Sequence, residues 1–528
     1  MTVMSERKVP LAGSRRVPPE GATFIGDVDP DQRIAVVVHL KRRTPDKFAP
    51  GSAGDLARLN KPISRPALEM QRRRTHARAA ARVTKLAAAN GLTVGRVDLL
   101  ARTVTLEGTV RQMASIFGAT LRVYDDGQRR FRARVGQLTV PAEMAPWTRA
   151  ILGFDERPLA TDVTRLKPLA GAGAGPGLWP TEIARLYGIP LDRDVSSICV
   201  GIIALGGGYV ATDLVSALAG MKRKPPAVID VTVSGSGNLF GGGTAADQEI
   251  ALDLQILASL LPKARIVVYF ADNTADDLTG AIHHAILDDV NRPQVLSVSW
   301  GRAEKFWTNT GRDAIQAALA DAQRLRVSVI FAAGDELATA GLSDGFVHVW
   351  FPASSPYALG CGGSLPTLDA GNAMIASEVV WKEGFNGTGG GISDVFPVPD
   401  YQSKLALPAS LNDGAVRRGV PDVACAAAST PGYRIIVNGA EKVMDGTSAA
   451  TPLWAGLIAI VNAARGEPIG FVNPALYANP NLFRLISQGN NRVGGKGYDA
   501  GDGWSACTGL GVPKGSEIIV ALADEPMA

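Results

Sequence analysis

The sequence predicts a two-domain protein, an α+β sandwich followed by a larger α/β domain whose parallel sheet carries helices on both faces. Three observations predict it. The chain has 528 residues, more than one ordinary core accommodates. A Gly-, Ala- and Pro-rich stretch, TDVTRLKPLAGAGAGPG at residues 161–177, erases all periodicity, as an exposed linker does. Hairpin signals dominate before that stretch, and continuous apolar runs alternating with amphipathic helices dominate after it. The expected division is a first domain at 1–160, the linker at 161–177 and a second domain at 178–528.

In the first domain QRIAVVVHLKRR reads as a strand, and PALEMQRRRTHARAAARVTKLAAANG as a helix ended by Gly91. VDLLARTVTLEG supplies strands, TVRQMASIFG a second helix, and TLRVYDDGQRRFRARVG a hairpin around Asp126 and Gly127. Two helices on one face of a small antiparallel sheet are therefore expected. In the second domain SICVGIIAL, ARIVVYFA, PQVLSVSW and VSVIFAAG are apolar throughout, as strands buried on both faces are. Chemistry in such a sheet belongs at the carboxyl ends of its strands.

Composition is globular, with 46% hydrophobic and 20% charged residues. No run of about 18 uncharged apolar residues predicts a membrane span, and the start, MTVMSERKVPLAGSRRVPPEG, lacks the apolar core of a secretory signal. The four cysteines form no C-x-x-C pair and read as small hydrophobes. The net charge of +4 hides a split: residues 1–170 hold 30 basic and 16 acidic side chains, and the rest holds 24 and 34. The arginines of the first part are not interleaved with aromatics, so a basic domain covering an acidic partner in the same chain is preferred to nucleic-acid binding.

The motif DGTSAATPLWAG, residues 445–456, looks like the nucleophile turn of a subtilisin-type peptidase, with Ser448 as the nucleophile. Such a serine needs a base. None of the five histidines lies in a setting suited to that role. The segment TAADQEIALDLQILASLLP offers an alternative: Thr244 and Asp247 form a capping box, and Glu249 and Asp253, four apart, share one face. A semi-buried carboxyl pair shares a proton, which lets glutamate act as base in acid. VSVIFAAGDE ends a buried strand at Asp335, where a protonated carboxyl could donate to an oxyanion. Three rivals stand beside this reading. LGGGYVA, with Gly206, Gly208 and Ala211, followed by Asp230, outlines a dinucleotide site. A peptidase-like binding protein without catalysis and a histidine-based subtilisin active near neutral pH are the others.

From about residue 30 onward the chain resembles the sedolisins, the serine-carboxyl peptidases, and their kumamolisin branch most of all. Beside EIALD, AAGD and DGTSAATP the likeness includes IIALGGGY, SVSWG, FPASSPY, GTGGGISDVFPVP, RGVPDVA and CTGLG. The resemblance implies a subtilisin-like catalytic domain behind an inhibitory, folding-assisting propeptide of ferredoxin-like build. It implies Ser448 as nucleophile, Glu249 as general base, Asp253 as its orienting partner and Asp335 as oxyanion donor, helped by the Ser448 amide. The implied partners are peptide substrates and the chain's own propeptide, with no nucleic acid and no membrane, in a monomer. An extracellular location follows from the family alone. Two departures stand out. Ala204 occupies the place of a glutamate that extends the carboxylate network in relatives. Leu485 and Ser505 replace the carboxylates of the family's calcium site, leaving the carbonyls near Ile486, Gly501 and Gly503, with Asp499 or Asp502 as substitutes. No cofactor is expected, and calcium is doubtful.

Overall fold

Alternation in RIAVVVHL puts Ile34, Val36 and Val38 on the buried side of a strand at Arg33–Leu40. In the computed structural model, which describes residues 7–41, 50–159 and 177–523, this strand is central to a four-stranded sheet. Its antiparallel partners are Thr103–Thr109 and Thr148–Leu152, and Thr93–Asp98 adds the edge. Helix α1 (Arg65–Ala89) starts where the Ser64 side chain accepts the Ala67 amide. Helix α2 (Val110–Phe117) has a capping box between Thr109 and Gln112 and ends on Gly118 at φ 60°. Val83 of α1 and Met113 and Phe117 of α2 close over Val36, Val38 and Leu106 as one apolar core.

Two features differ from the expected single sheet. The hairpin Thr120–Asp125 and Arg130–Val135 pairs instead with Thr23–Asp27 in a separate three-stranded sheet. It has an aromatic face of its own, Tyr124 stacked on Phe131 at 6.5 Å with Phe24 edge-on at 5.9 Å. A further helix, Ala53–Leu59, lays Leu56 and Leu59 into an apolar cluster of the second domain. The expected linker lies outside the described residues but for Gly177.

Beyond it come the strands β1 (Cys199–Leu205), β2 (Ala227–Thr232), β3 (Arg265–Ala271), β4 (Val295–Val298), β5 (Ser328–Ala332), β6 (Leu359–Leu368), β7 (Ile375–Val380) and β8 (Val423–Ala426). Their spatial order is β2-β3-β1-β4-β5-β6-β7, with β8 also beside β6. All pairs are parallel except β6–β7. Neighbouring side chains of β1 go to opposite layers. Val200, Ile202 and Ala204 meet α3 (Ala245–Leu260), and Cys199, Ile203 and Leu205 meet α4 (Ala275–Leu287) and α5 (Asn309–Arg324). Helix α6 (Thr447–Arg465) shares the α3 layer. With 19 residues and a mean hydropathy of 1.3, α6 is long and apolar enough to cross a membrane, which the sequence reading did not expect. Its apolarity serves the core instead, since nearly all of it is buried against the sheet and α3. All four cysteines are buried free thiols.

The two domains meet through opposite charges, as the charge split suggests. Asp321 of α5 receives Arg102 at 2.6 Å and also pairs with Arg72. Asp276 of α4 accepts the Gly153 amide at 2.6 Å and faces Arg16 at 3.9 Å. One pair runs the other way, Lys305 to Glu20 at 3.6 Å.

Candidate active site

Ser448 is the second residue of α6, so its amide has no partner one turn back. The turn before it depends on Gly446, at φ 107°. Pro452 has no N–H for the Ser448 carbonyl, and the Ser299 hydroxyl approaches that oxygen to 3.4 Å instead. α6 crosses α3 closely because position 456 is glycine: a methyl group there would meet Leu260 Cδ2 at 2.7 Å.

The α3 capping box is stronger than its motif suggests. Asp247 Oδ2 accepts the amides of Gly241, Gly243 and Thr244 at 2.8–3.0 Å, and its Oδ1 accepts that of Gly208 at 2.8 Å. The glycine loop after β1 is thereby closed onto the start of α3. Asp230 is engaged by the Tyr209 hydroxyl at 2.9 Å and Asn238 at 3.0 Å. Neither is free for a pyrophosphate or a ribose, which removes the dinucleotide reading.

One turn further on, Glu249 and Asp253 are 4% and 1% exposed. Burial pushes Glu249 above the ordinary carboxyl range. Asp335 adds to the shift, while Ser448 and Ser299, within hydrogen-bonding reach, oppose it. Asp253 is raised by burial and then by Glu249. Ser299 donates to Asp253 Oδ1 at 2.8 Å, but Glu249 Oε1 and Asp253 Oδ2 have no partner among the described residues. Two such carboxyls lower their cost by holding one proton between them. The network ends there: Ala204 is fully buried, and the Trp300 indole donates to the Ile203 carbonyl at 2.9 Å.

Asp335 follows β5 and is anchored on one oxygen only. Its Oδ1 accepts the Thr447 amide at 2.8 Å and the Thr447 hydroxyl at 2.6 Å. Burial raises its carboxyl against those two bonds, and Oδ2 is the oxygen they leave open. A methyl group on Gly446 would stand 2.7 Å from Asp335 Oδ2 and 3.6 Å from the Ser448 amide. The missing side chain thus leaves a space faced by Asp335 Oδ2 and the Ser448 amide. Ser448, Glu249 and Asp335 line one cleft of about 320 Å³, roofed by residues 17–20 and 157–159 of the first domain. Sequence reasoning missed Ser299, Thr447 and this roof. The first two lie inside the quoted motifs SVSWG and DGTSAATP, but their partners are distant in the chain.

The histidines lie elsewhere. His39 and His283 are buried at the domain interface, His283 beside Asp321 at 3.7 Å, and His348 faces Asp344 at 3.0 Å. His76 hydrogen-bonds Thr75, and the His284 ring meets Tyr269 edge-on. A histidine base is therefore absent from the cleft.

Residues 20–157 match the family described as Pro-kumamolisin, activation domain, and residues 237–476 match the subtilase family. The chain is 38% identical over 536 residues to kumamolisin of Bacillus sp. (strain MN-32), covering 98% of this chain and 96% of that protein. The chain belongs to the sedolisin family. Sedolisin of Pseudomonas sp. (strain 101) is 29% identical over 447 residues, 77% of this chain and 73% of that one. A solved structure, Pseudomonas sedolisin (serine-carboxyl proteinase) complexed with two molecules of pseudo-iodotyrostatin, superposes with a TM-score of 0.58 at 27% identity, over 65% of this chain and 97% of that one. The chain is therefore a self-processing serine-carboxyl peptidase with its own activation domain.

The resemblance to sedolisins implies a calcium site in the segment around Leu485 and Ser505. Leu485 is 39% exposed, and the Ser505 hydroxyl shares a hydrogen bond with Thr508 Oγ1 at 3.1 Å. Asp499 is held by Arg492 through both oxygens, one of them at 2.9 Å from Nε, and Asp502 is exposed. Beside the carbonyls of Ile486, Gly501 and Gly503, Asp502 is the one carboxylate not engaged by a cation among the described residues, whereas calcium takes six to eight oxygens, several of them charged. The residues present do not fit a resident calcium ion.

Proposed function

We propose that this sedolisin is an acid-acting serine endopeptidase, released from its precursor by cleavage within residues 161–177. Glu249, once deprotonated, takes the Ser448 proton as the hydroxyl oxygen attacks the substrate carbonyl carbon. The developing oxyanion enters the space beside Gly446, between protonated Asp335 Oδ2 and the Ser448 amide. Glu249 then passes its proton to the leaving amine, and the acyl-enzyme forms. Water repeats the cycle, with Glu249 as base again and Ser448 as leaving group. Asp253 orients Glu249 and shares its proton, fixed in turn by Ser299. The observation that carries this reading is the one-sided anchoring of Asp335, which leaves Oδ2 facing the nucleophile's turn.

The same reading makes the enzyme a cofactor-free monomer that acts on proteins outside the cell and uses neither nucleic acid nor membrane. The test digests a protein substrate with processed enzyme across acid and neutral pH. A bell-shaped rate peaking near pH ~3–5 is expected, with internal fragments rather than successive tripeptides. Ser448→Ala should abolish turnover, and Glu249→Gln should lower it at least about a hundredfold. A Glu249→Gln enzyme with near-normal rates would overturn the assignment.

A further inference from the structure

One carboxyl in the cleft has no part in the mechanism. Asp445 follows the strand Ala440–Met444 and lies three residues before Ser448, in the wall of the same cleft. Its backbone is fixed on both sides, since Met444 pairs with Tyr433 and the Gly446 amide donates to the Ala427 carbonyl. The neighbouring carboxyls all have donors. Asp335 has Thr447, Asp253 has Ser299, and Glu383 has the Trp381 indole at 2.8 Å and the Ser429 amide and hydroxyl at 3.0 and 2.7 Å. Among the described residues Asp445 has only its own amide, although Asp335 and Glu383 both act on it electrostatically. The cationic groups lining the cleft are engaged elsewhere. Arg302 lies 4.0 Å over the Phe306 ring and donates to Pro158, while Arg157 holds Asp155 at 2.7 Å.

A half-buried carboxyl with like-charged neighbours and no cation beside it among the described residues is costly unless a ligand brings one or it stays protonated. In a peptidase cleft the ligand is a substrate side chain. Trp350, half-buried, lines the same cleft and offers aromatic surface to an aliphatic stem, which fits a long side chain ending in a cation. We infer that Asp445 forms a subsite beside the scissile bond that selects a lysine or arginine side chain of the substrate. The inference rests on the peptidase reading above and adds a substrate class to it. The chain's own junction, residues 161–177, carries Arg165 and Lys167 against a single acidic residue, Asp162.

Burial, then Asp335 and Glu383, raises the Asp445 carboxyl to about 7 in the absence of a cation. A bound ammonium pulls that value down, so selection for a cation strengthens as pH rises through the acid range. The experiment uses processed enzyme and peptides that carry lysine or its uncharged analogue norleucine at each position flanking the cleaved bond. The reading is the ratio of kcat/KM between the two, taken at about pH 3.5 and about pH 5.5. Ionisations of Glu249 and Asp335, common to both peptides, cancel in that ratio. One position should favour lysine at least about fivefold at the higher pH and less at the lower. Asp445→Asn should bring the ratio to about one, and Asp445→Glu should restore a preference. A ratio near one at every position in the unmodified enzyme, or one unchanged by Asp445→Asn, overturns the subsite. Cleavage of the norleucine peptides and its loss in Ser448→Ala report on the peptidase reading separately.

Discussion

Gly446 shows how little separates a peptidase from an inert fold at the residue scale. Adding one methyl group at φ 107° strains the turn and fills the space between Asp335 Oδ2 and the Ser448 amide, the proposed oxyanion donors. Gly446→Ala is expected to lower kcat at least about a hundredfold, with a smaller effect on KM, which steady-state kinetics will resolve. Asp335 gives the complementary prediction. An asparagine can accept the two Thr447 bonds through Oδ1 and donate through its amide at any pH. In Asp335→Asn the alkaline limb of the rate profile should therefore move to higher pH, because the donor no longer ionises. A limb left in place assigns that ionisation to another group. Ser448, Glu249 and Asp335, which the structure brings to one cleft, could be picked out of the sequence because each sits in a short motif. Ser299 was not, because its role depends on contacts to residues 46 and 149 positions away.

At the scale of elements, the meeting of α3 and α6 brings together the proposed base and nucleophile, Glu249 and Ser448. Both helices could be read from periodicity, and their shared layer follows from the alternation in β1. Their closeness could not, because Gly456 acts through Leu260, nearly 200 residues away in the chain. Gly456→Ala should lower stability by about 1–3 kcal/mol through overpacking and lower kcat as well, as thermal melting and kinetics would show. The hairpin misread as part of the main sheet fails for a similar reason: strand partners depend on aromatic faces that periodicity does not distinguish. The loop between Leu485 and Ser505 carries its own cation, Arg492 on Asp499. Chelator is accordingly expected to leave Tm and activity unchanged, and a fall of several degrees would reveal other metal ligands.

At the scale of the whole molecule, the charge split correctly places a basic domain on an acidic one, but it does not tell which groups respond to acid. Asp321 does not respond readily: although its burial opposes ionisation, Arg102 and Arg72 hold it well below the ordinary range. Asp276 is raised to about 6, by burial first, so it favours the closed precursor at low pH and loses that contribution as pH rises through about 6. The histidines have the opposite sign. Burial first, then His283, Arg102 and Arg149, holds His39 down at about 3, and burial lowers His283 against Asp321. His39 is neutral in the closed precursor above about pH 3 and regains its ordinary affinity for protons on release. Its contribution to closure is complete above about pH 6.5 and falls by about 1.4 kcal/mol for each pH unit below it, and His283 acts in the same direction. Acid release is thus assigned to the interface histidines more than to carboxylates. His39→Gln should lower the pH midpoint of precursor processing by about half a unit or more, read by mass spectrometry of timed samples.

Leu56, Leu59 and Leu159 come from the activation domain yet complete an apolar cluster of the catalytic domain. Release therefore removes part of the core that was present when the enzyme folded. The processed enzyme is left to persist through the height of its unfolding barrier rather than the depth of its free-energy minimum. Its lifetime in solution is then a matter of rate, and denaturation after processing becomes a one-way event.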